Sequence, residues 1–340
     1  MDILISHMTA FELLRYAHYA RFSSSENEAS LTCTPDRAPS ENELDTLYRR
    51  VPELRELGRA PEMLVASTSQ SRNSASCRCH VWSRALPSDS FFWLADGVRC
   101  TSAELTALLV APSLSRLELT VLLSELMGLY AVAPSASRGM VQRAKPLTTP
   151  EKMQRFLNSV PGARGVALVR SVLADVCAGS GSPRETKLSL RLGLPPSRKG
   201  YGLPVLSMNE PVVVDRLGSL FGEKGIRKPD ILIGRAGGLA HAALAFEYDG
   251  PDHETPEGVR EDTRRTNELR AMGIGEYRIN AELYRDIDYM DDVVDRARRE
   301  AGLPRLHLTA KQKTLRRRRH FELYRELEGI DGVHWSYPGC

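Results

Sequence analysis

A short apolar stretch that carries two carboxylates, Leu244-Ala-Phe-Glu-Tyr-Asp-Gly250, constrains the fold of this chain more than any other segment. Its apolar residues predict a buried β-strand that ends at the glycine. Because side chains alternate across a strand, Glu247 and Asp249 share one face, and the aromatic residues beside them share the other. An unpartnered carboxylate in a central strand costs several kcal/mol, so Glu247 requires a cation or hydrogen-bond donors nearby.

The segments around this strand predict a small sheet flanked by helices. Helices are expected over residues 184–192, 259–272 and 286–301, and strands within 205–214 and over 229–233, 242–249 and 277–279. The Gly/Ser-rich run 179–183 marks a break before the first of these helices. This order of elements favours an α/β or α+β fold built round a small mixed sheet.

The region before this break predicts mainly helices and a short hairpin. Helices are expected over residues 8–16, 41–58, 117–129 and 165–176, and Pro52 is expected to kink or split the second of them. Residues 80–82 and 90–94 predict strands joined by a Pro-Ser-Asp turn. Asp96-Gly97 predicts a hairpin turn that leads into residues 98–100.

Composition excludes several classes of protein. A length of 340 residues predicts about two domains, and 42% apolar residues suffice for a core. No apolar run approaches the roughly 18 residues that span a bilayer, and residues 1–7 lack the pattern of a signal peptide. Six cysteines without a CxxC motif do not make a disulfide scaffold. We therefore expect a soluble, cytoplasmic protein with reduced thiols and no membrane partner.

A basic block lies near the end of the sequence. Residues 303–320 contain no carboxylate and seven cations, namely Arg305, Lys311, Lys313, Arg316, Arg317, Arg318 and Arg319. Such a block is typical of a phosphate-binding surface, and equally of a solvated helix face. The segment Cys77-Arg-Cys79-His80 invites a zinc interpretation, although its spacing is not that of a standard finger and buried cysteines explain it as well.

Further carboxylates add to the charge at the end of the predicted sheet. Asp230 follows Pro229 at the start of a strand, and Glu185 lies on the preceding helix. Carboxylates gathered near Glu247 would repel one another unless a cation compensates them. A divalent ion such as Mg²⁺ takes carboxylate oxygens and can activate water for phosphodiester cleavage. Asp230 and Asp249-Gly250 could instead be simple turn residues.

These motifs resemble a known superfamily. The pattern Pro229-Asp230 … Glu247-x-Asp249 looks like that of PD-(D/E)xK nucleases. Ser182-Pro-Arg-Glu185, the strand that ends at Gly250, His253 and an Arg-rich helix are similar to a bacterial family related to very-short-patch-repair endonucleases. The resemblance covers residues 183–302. It implies a restriction-endonuclease-like core in the order helix, three strands, helix, strand, and metal-dependent cleavage of DNA by an endonuclease or nickase in defence or repair.

The resemblance also implies roles for individual residues. Asp230 and Glu247 would hold Mg²⁺ or Mn²⁺, Asp249 would support the ion or position water, and Glu185 would complete the catalytic set. The superfamily's lysine is replaced by Asp249, so the role of a cation is left to Lys228, Arg260 or Arg265. His253 would orient water or bind phosphate, or else be an ordinary turn residue. Contacts with DNA phosphates are expected from Arg260, Arg265, Arg316, Arg317, Arg318 and Arg319.

The N-terminal region is similar to a module that precedes nuclease-like domains, with a distant likeness to antitoxin-type regulators of the AbiE class. The expected organisation is a regulatory or binding module (1–150), a helical connector (151–182), a nuclease-like domain (183–302) and a basic C-terminal helix and tail (303–340). A non-catalytic DNA-binding or antitoxin-like regulator stays an alternative, as does an interaction protein with a structural acidic sheet edge. The sequence leaves open DNA against RNA, a homodimer, and a toxin, antitoxin or defence partner.

Overall fold

A computed structural model describes residues 2–20, 33–68, 71, 73–215, 224–235, 238–249 and 256–337. The chain divides into two compact units. Unit 1 contains residues 1–127, 131–176 and 332–340, and unit 2 contains residues 128–130 and 177–331. Residues 151–176, predicted to be a connector, therefore lie in unit 1. Both units combine helices with small sheets, which confirms the mixed α/β class.

Unit 1 is built on a five-stranded mixed sheet in the order β3-β2-β1-β5-β4. Strand β1 is parallel to β5 and antiparallel to β2, while β6 and β7 form a separate pair. In chain order the elements up to residue 173 are β1 (Ile3–Ile5), α1 (His7–Leu13), α2 (Ala17–Ala20), α3 (Glu41–Arg50), β2 (Glu62–Val65), β3 (Arg78–Val81), β4 (Phe91–Ala95), β5 (Val98–Thr101), α4 (Ala103–Val110), α5 (Arg116–Leu126), β6 (Tyr130–Val132), β7 (Met140–Gln142), α6 (Pro150–Ser159) and α7 (Val166–Leu173).

The sheet corrects one prediction about the N-terminal region. Beside its helices that region holds a five-stranded sheet rather than only a short hairpin, and β1 and β2 are entirely buried strands of three and four residues, too short for alternation to reveal. The Pro-Ser-Asp turn predicted between residues 80–82 and 90–94 is confirmed, since the Ser90 amide donates to the Pro87 carbonyl at 3.1 Å, but β3 and β4 lie at opposite edges of the sheet. The hairpin at Asp96-Gly97 is confirmed: Gly97 adopts a left-handed φ of 67°, and β4 pairs antiparallel with β5. The break at Pro52 is confirmed as well, because α3 ends at Arg50.

A buried carboxylate, Glu62 at the start of β2, organises one end of this sheet. Its oxygens accept from the Met8 amide at 3.0 Å, from His80 Nε2 at 3.0 Å and from the Tyr337 hydroxyl at 2.7 Å. Arg59 adds an ion pair at 3.3 Å. Burial opposes ionisation of Glu62, but these donors outweigh it and lower the pKa of the carboxyl to about 2.

Replacing Glu62 by Ala is expected to lower the free energy of unfolding of unit 1 by about 3 kcal/mol or more, because it leaves buried donors without their acceptor. Urea unfolding followed by circular dichroism measures this loss. Asp45→Ala, at an exposed position of α3, is the matched control and should change stability by less than about 0.5 kcal/mol. Equal stability of the two variants would contradict the organising role of Glu62.

Residues 332–337 also belong to unit 1, although they follow the last helix of unit 2. Trp335 is buried with its ring edge-on to Phe11, at 5.9 Å between centroids. The Ser336 amide donates to Glu118 Oε1 at 2.7 Å. This segment therefore completes the core of a unit whose other strands and helices lie far earlier in the chain.

Unit 2 contains a four-stranded sheet in the order β13-β12-β11-β8. Strand β11 is antiparallel to both neighbours, and β12 is parallel to β13 because α9 crosses over between them. Strands β9 and β10 form a separate two-stranded ribbon. The elements are α8 (Pro183–Gly193), β8 (Val205–Ser207), β9 (Val212–Asp215), β10 (Lys224–Arg227), β11 (Ile231–Arg235), β12 (Gly238–Asp249), α9 (Pro256–Ala271), β13 (Gly275–Asn280), α10 (Ala281–Arg285), α11 (Ile287–Glu300) and α12 (Ala310–Gly329).

One face of this sheet packs against α9. Leu232 of β11, Ala245 of β12 and Leu269 of α9 belong to one buried cluster, together with Ile274 and Val214. Because side chains alternate, Glu247 lies on the same face of β12 as Ala245. The other face is apolar, and Phe246 there stacks on a tyrosine of β13. Among the described residues, no helix is long and apolar enough to cross a membrane.

Candidate active site

Two carboxylates face each other across β11 and β12. The register places Ile231 opposite Phe246, so Asp230, one residue before β11, lies opposite Glu247. The Tyr248 amide donates to Asp230 Oδ2 at 2.7 Å and holds this carboxylate against β12. Glu247 is only 5% exposed. Like charges directly opposite each other destabilise a sheet, so the arrangement is costly.

Arg265 on α9 brings a cation to this pair. Leu269, one helical turn later, belongs to the same buried cluster as Ala245, and Glu247 is the next residue on that face of the strand. Arg265 Nη2 lies 2.5 Å from Glu247 Oε1 and donates to the Lys228 carbonyl at 3.2 Å. In the described part of the chain, Glu247 Oε1 and the buried Nε of Arg265 have no well-aligned hydrogen bond. The two side chains are therefore joined as an ion pair rather than by a fork of hydrogen bonds.

Burial and repulsion raise the pKa of both carboxyls. For Asp230 burial is the largest cause, followed by the negative charge of Glu185. For Glu247 burial is again the largest cause, followed by the charge of Asp230. Arg265 lowers both pKa values without cancelling the increase. The metal-free pair therefore retains protons at pH values where exposed carboxyls are ionised.

Glu185 approaches the pair from the first turn of α8. Ser182 caps this helix by accepting from the Glu185 amide at 3.1 Å. Glu185 Oε2 accepts from the Gly181 amide and from Asn209 Nδ2, both at 2.7 Å. The Asn209 amide donates to the Asp230 carbonyl at 3.2 Å, so one residue links both acidic segments. Sequence reasoning missed Asn209, whose left-handed φ of 51° suits an asparagine.

Asp249 has a different partner. Arg278 of β13 donates from Nε and Nη2 to both oxygens of Asp249, at 2.7 to 3.1 Å. This bidentate pair is geometrically specific and fixes the orientation of the carboxylate. Arg278 stands beside Glu247 in the parallel register of β12 and β13. Sequence reasoning missed Arg278, because its position depends on which strand lies next to β12.

The carboxylates do not converge as a group of four. Within the described ranges, no three His, Cys, Asp or Glu side chains come together in a way that could hold a metal ion. The same finding gives no support to a zinc interpretation of Cys77 and Cys79, which are both buried. Mg²⁺, however, is commonly held by one or two carboxylates plus water and substrate phosphate. The half-buried Asp230 and the buried Glu247 supply two carboxyl groups at one place, which fits that smaller ligand set.

The remaining predicted site residues lie elsewhere. His253 lies outside the described residues, and so does the side chain of Arg260, which belongs to α9. On α12, three of the predicted phosphate ligands are paired with carboxylates: Arg316 with Asp295 at 2.8 Å, Arg317 with Asp288 at 2.5 Å and Arg318 with Glu322 at 3.0 Å. Arg319 donates to the Ser197 carbonyl at 2.9 Å. DNA contact by these arginines stays a prediction.

Comparisons with known proteins add no relative. No protein-family model, no curated protein and no solved structure matches the chain.

Proposed function

We propose that unit 2 is a metal-dependent nuclease unit that hydrolyses phosphodiester bonds of DNA as an endonuclease or nickase. The observation that carries this proposal is the pair of the half-buried Asp230 and the buried Glu247, set opposite each other with Arg265 beside them. Like charges held together with restricted access to water weaken a fold, and strongly perturbed carboxyls of this kind cluster at functional sites. A merely structural acidic sheet edge would not require Glu247 to be buried.

The order of elements supports the same proposal. The four-stranded sheet and its neighbours follow the chain as α8, β8, β11, β12, α9 and β13. This is the order of helix, three strands, helix and strand that the resemblance to PD-(D/E)xK nucleases implies. The carboxylate pair lies at the start of β11 and near the end of β12, where the resemblance expects the acidic residues.

Each residue then has a distinct task. Asp230 and Glu247 would hold Mg²⁺, which when bound polarises a phosphoryl oxygen and lowers the pKa of a water molecule. Arg265 offsets negative charge beside Glu247. In the superfamily a lysine has this task, and Asp249, which stands in its place here, cannot perform it. Glu185, held by two donors, adds a fixed negative charge near Asp230.

A plasmid cleavage assay tests this proposal. The full chain is incubated with supercoiled DNA in Mg²⁺, in Mn²⁺ and in EDTA. We expect nicked or linear product with either metal and none in EDTA or with the Asp230→Asn/Glu247→Gln double variant. Cleavage by the double variant at the wild-type rate, or no cleavage with either metal, would remove the support for the nuclease site.

A non-catalytic DNA-binding or antitoxin-like regulator on the same scaffold is the second candidate. It is favoured by one observation: Glu185 and Asp249 are engaged by Asn209 and Arg278, and in the described part of the chain no three metal-ligating side chains meet. Such a regulator would bind DNA with an affinity that falls steeply with salt, and would leave the plasmid intact in both metals.

A further inference from the structure

A groove of about 210 Å³ runs along α12 in unit 2. We call it the α12 groove. Its walls include Leu306, Leu308 and Leu315, and the rings of Tyr201 and His320 also line it. The surface exposed inside the groove is mostly apolar, and four polar or charged residues also border it, namely Lys199, Gln312, Arg316 and Arg319. The volume is below the roughly 300–1,000 Å³ of sites for drug-sized ligands, so the groove suits one large side chain.

The aromatic part of the groove is preformed. Tyr201 and His320 are both almost fully buried, and their ring centroids are 4.0 Å apart. His320 Nδ1 lies 2.6 Å from Asp291 Oδ1, which fixes the orientation of the imidazole. Binding of a partner would therefore require little rearrangement of these side chains, so the free-energy cost of ordering them is small.

The rim of the groove is apolar and exposed. Leu306 is 44% exposed and Leu315 is 54% exposed. A single exposed leucine needs no explanation, but two that border an apolar cavity form the kind of patch that marks an interaction site. An apolar side chain seated between them would be desolvated on all sides, as the anchor residues of protein interfaces are.

Residues 303–320, which form much of the groove, contain seven cations and no carboxylate. Two cations of the lining are paired with carboxylates of other segments, Lys199 with Glu322 and Glu326, and Arg316 with Asp295. Arg319 also lines the groove and donates to the Ser197 carbonyl, and among the described residues it forms no ion pair with a carboxylate. Arg305, Lys311 and Lys313 are exposed nearby in sequence, and none of them forms an ion pair with a carboxylate of the described residues. A partner that brings carboxylates would gain charge complementarity at this rim.

We propose that the α12 groove binds an acidic peptide segment of a partner protein, which seats one bulky apolar side chain in the cavity and sets carboxylates against the surrounding cations. The apolar lining favours a peptide over a nucleic acid, because it offers few partners for the polar edge of a base. This proposal does not depend on the nuclease chemistry at Asp230.

Fluorescence anisotropy of the full chain with two labelled peptides tests it. Both peptides are rich in Asp and Glu, and they differ only at a central Phe or Ala. We expect the Phe peptide to bind about tenfold to a hundredfold more tightly, since burial of such a ring is worth that much. Leu315→Asp should abolish the difference. Because Leu315 is exposed, this variant should fold as wild type does, which circular dichroism checks. Arg319→Gln should weaken binding of the Phe peptide severalfold.

Arg318→Gln is the matched control. It removes the same charge from the adjacent position of α12, but Arg318 is 77% exposed and pairs with Glu322 outside the groove lining. Its affinity for the Phe peptide should stay within about twofold of wild type. Equal affinity for the Phe and Ala peptides, absence of binding by both, or displacement of the Phe peptide by a short single-stranded oligonucleotide through the same residues would each overturn the proposal.

Discussion

Replacing Glu247 by Gln is expected to abolish DNA cleavage and, at the same time, to stabilise the metal-free protein. Loss of one of two metal ligands should reduce the rate of plasmid nicking about a hundredfold or more. The stability gain has a separate cause: Glu247 lies opposite Asp230, and burial and repulsion raise the pKa of both carboxyls. Removing one charge relieves this penalty, and the amide oxygen of the variant stays beside the Arg265 guanidinium.

The expected gain at pH 8 is about 1 to 2 kcal/mol, because each unit of pKa elevation corresponds to about 1.4 kcal/mol. Differential scanning calorimetry in EDTA would show it as a melting temperature raised by a few degrees. Glu300→Gln is the matched control, since it removes one charge from the same unit at the Tyr277 hydroxyl. It should cleave DNA at the wild-type rate. An active Glu247→Gln variant, or one that is less stable than wild type, would contradict the assignment of the pair.

Mg²⁺ is expected to stabilise the protein strongly at pH 8 and hardly at all near pH 5. Because the pKa values of Asp230 and Glu247 are raised by folding, the folded chain holds more protons than the unfolded chain. The free energy of unfolding therefore falls as pH rises from the ordinary carboxyl pKa, about 4, until the raised values are passed. Mg²⁺ binds the ionised carboxylates, so at high pH its binding restores the free energy of unfolding that ionisation of the pair removes.

At a hundred times its dissociation constant the ion would add about 2.7 kcal/mol, which calorimetry resolves easily. The Asp230→Asn/Glu247→Gln double variant should lose both the Mg²⁺ response and this part of the pH dependence. Ca²⁺ in place of Mg²⁺ separates metal binding from cleavage, since it prefers oxygen ligands as well. An Mg²⁺ shift of equal size in the double variant would place the ion elsewhere on the chain.

Local rules sufficed to predict part of the candidate site. Pro229 and the alternation around Glu247 place Asp230 and Glu247 near the ends of neighbouring strands, and the hairpin register then sets them opposite each other. Local rules could not predict the partners of the other carboxylates. Arg278 meets Asp249 only because β13 lies parallel to β12, a long-range choice that no local pattern contains.

The basic block shows the same limit. Its arginines form an uninterrupted run in the sequence, yet Arg316 and Arg317 are paired with Asp295 and Asp288 of α11, which precedes them. Helix α12 itself begins at a capping box formed by Thr309 and Gln312, so its start follows from local rules. The number of its cations that can bind a ligand depends on how α11 and α12 pack together, and the sequence pattern of a single helix does not predict that packing.

The segment 332–337, which fills the core of unit 1 after the whole of unit 2, makes unit 2 an insertion. During translation unit 2, residues 128–130 and 177–331, emerges complete while unit 1 still lacks Tyr337, the donor that Glu62 requires. A fragment that ends at residue 176 would therefore carry an unfinished unit 1. Unit 2 can therefore fold first, and unit 1 completes its folding only after residues 332–337 have been synthesised.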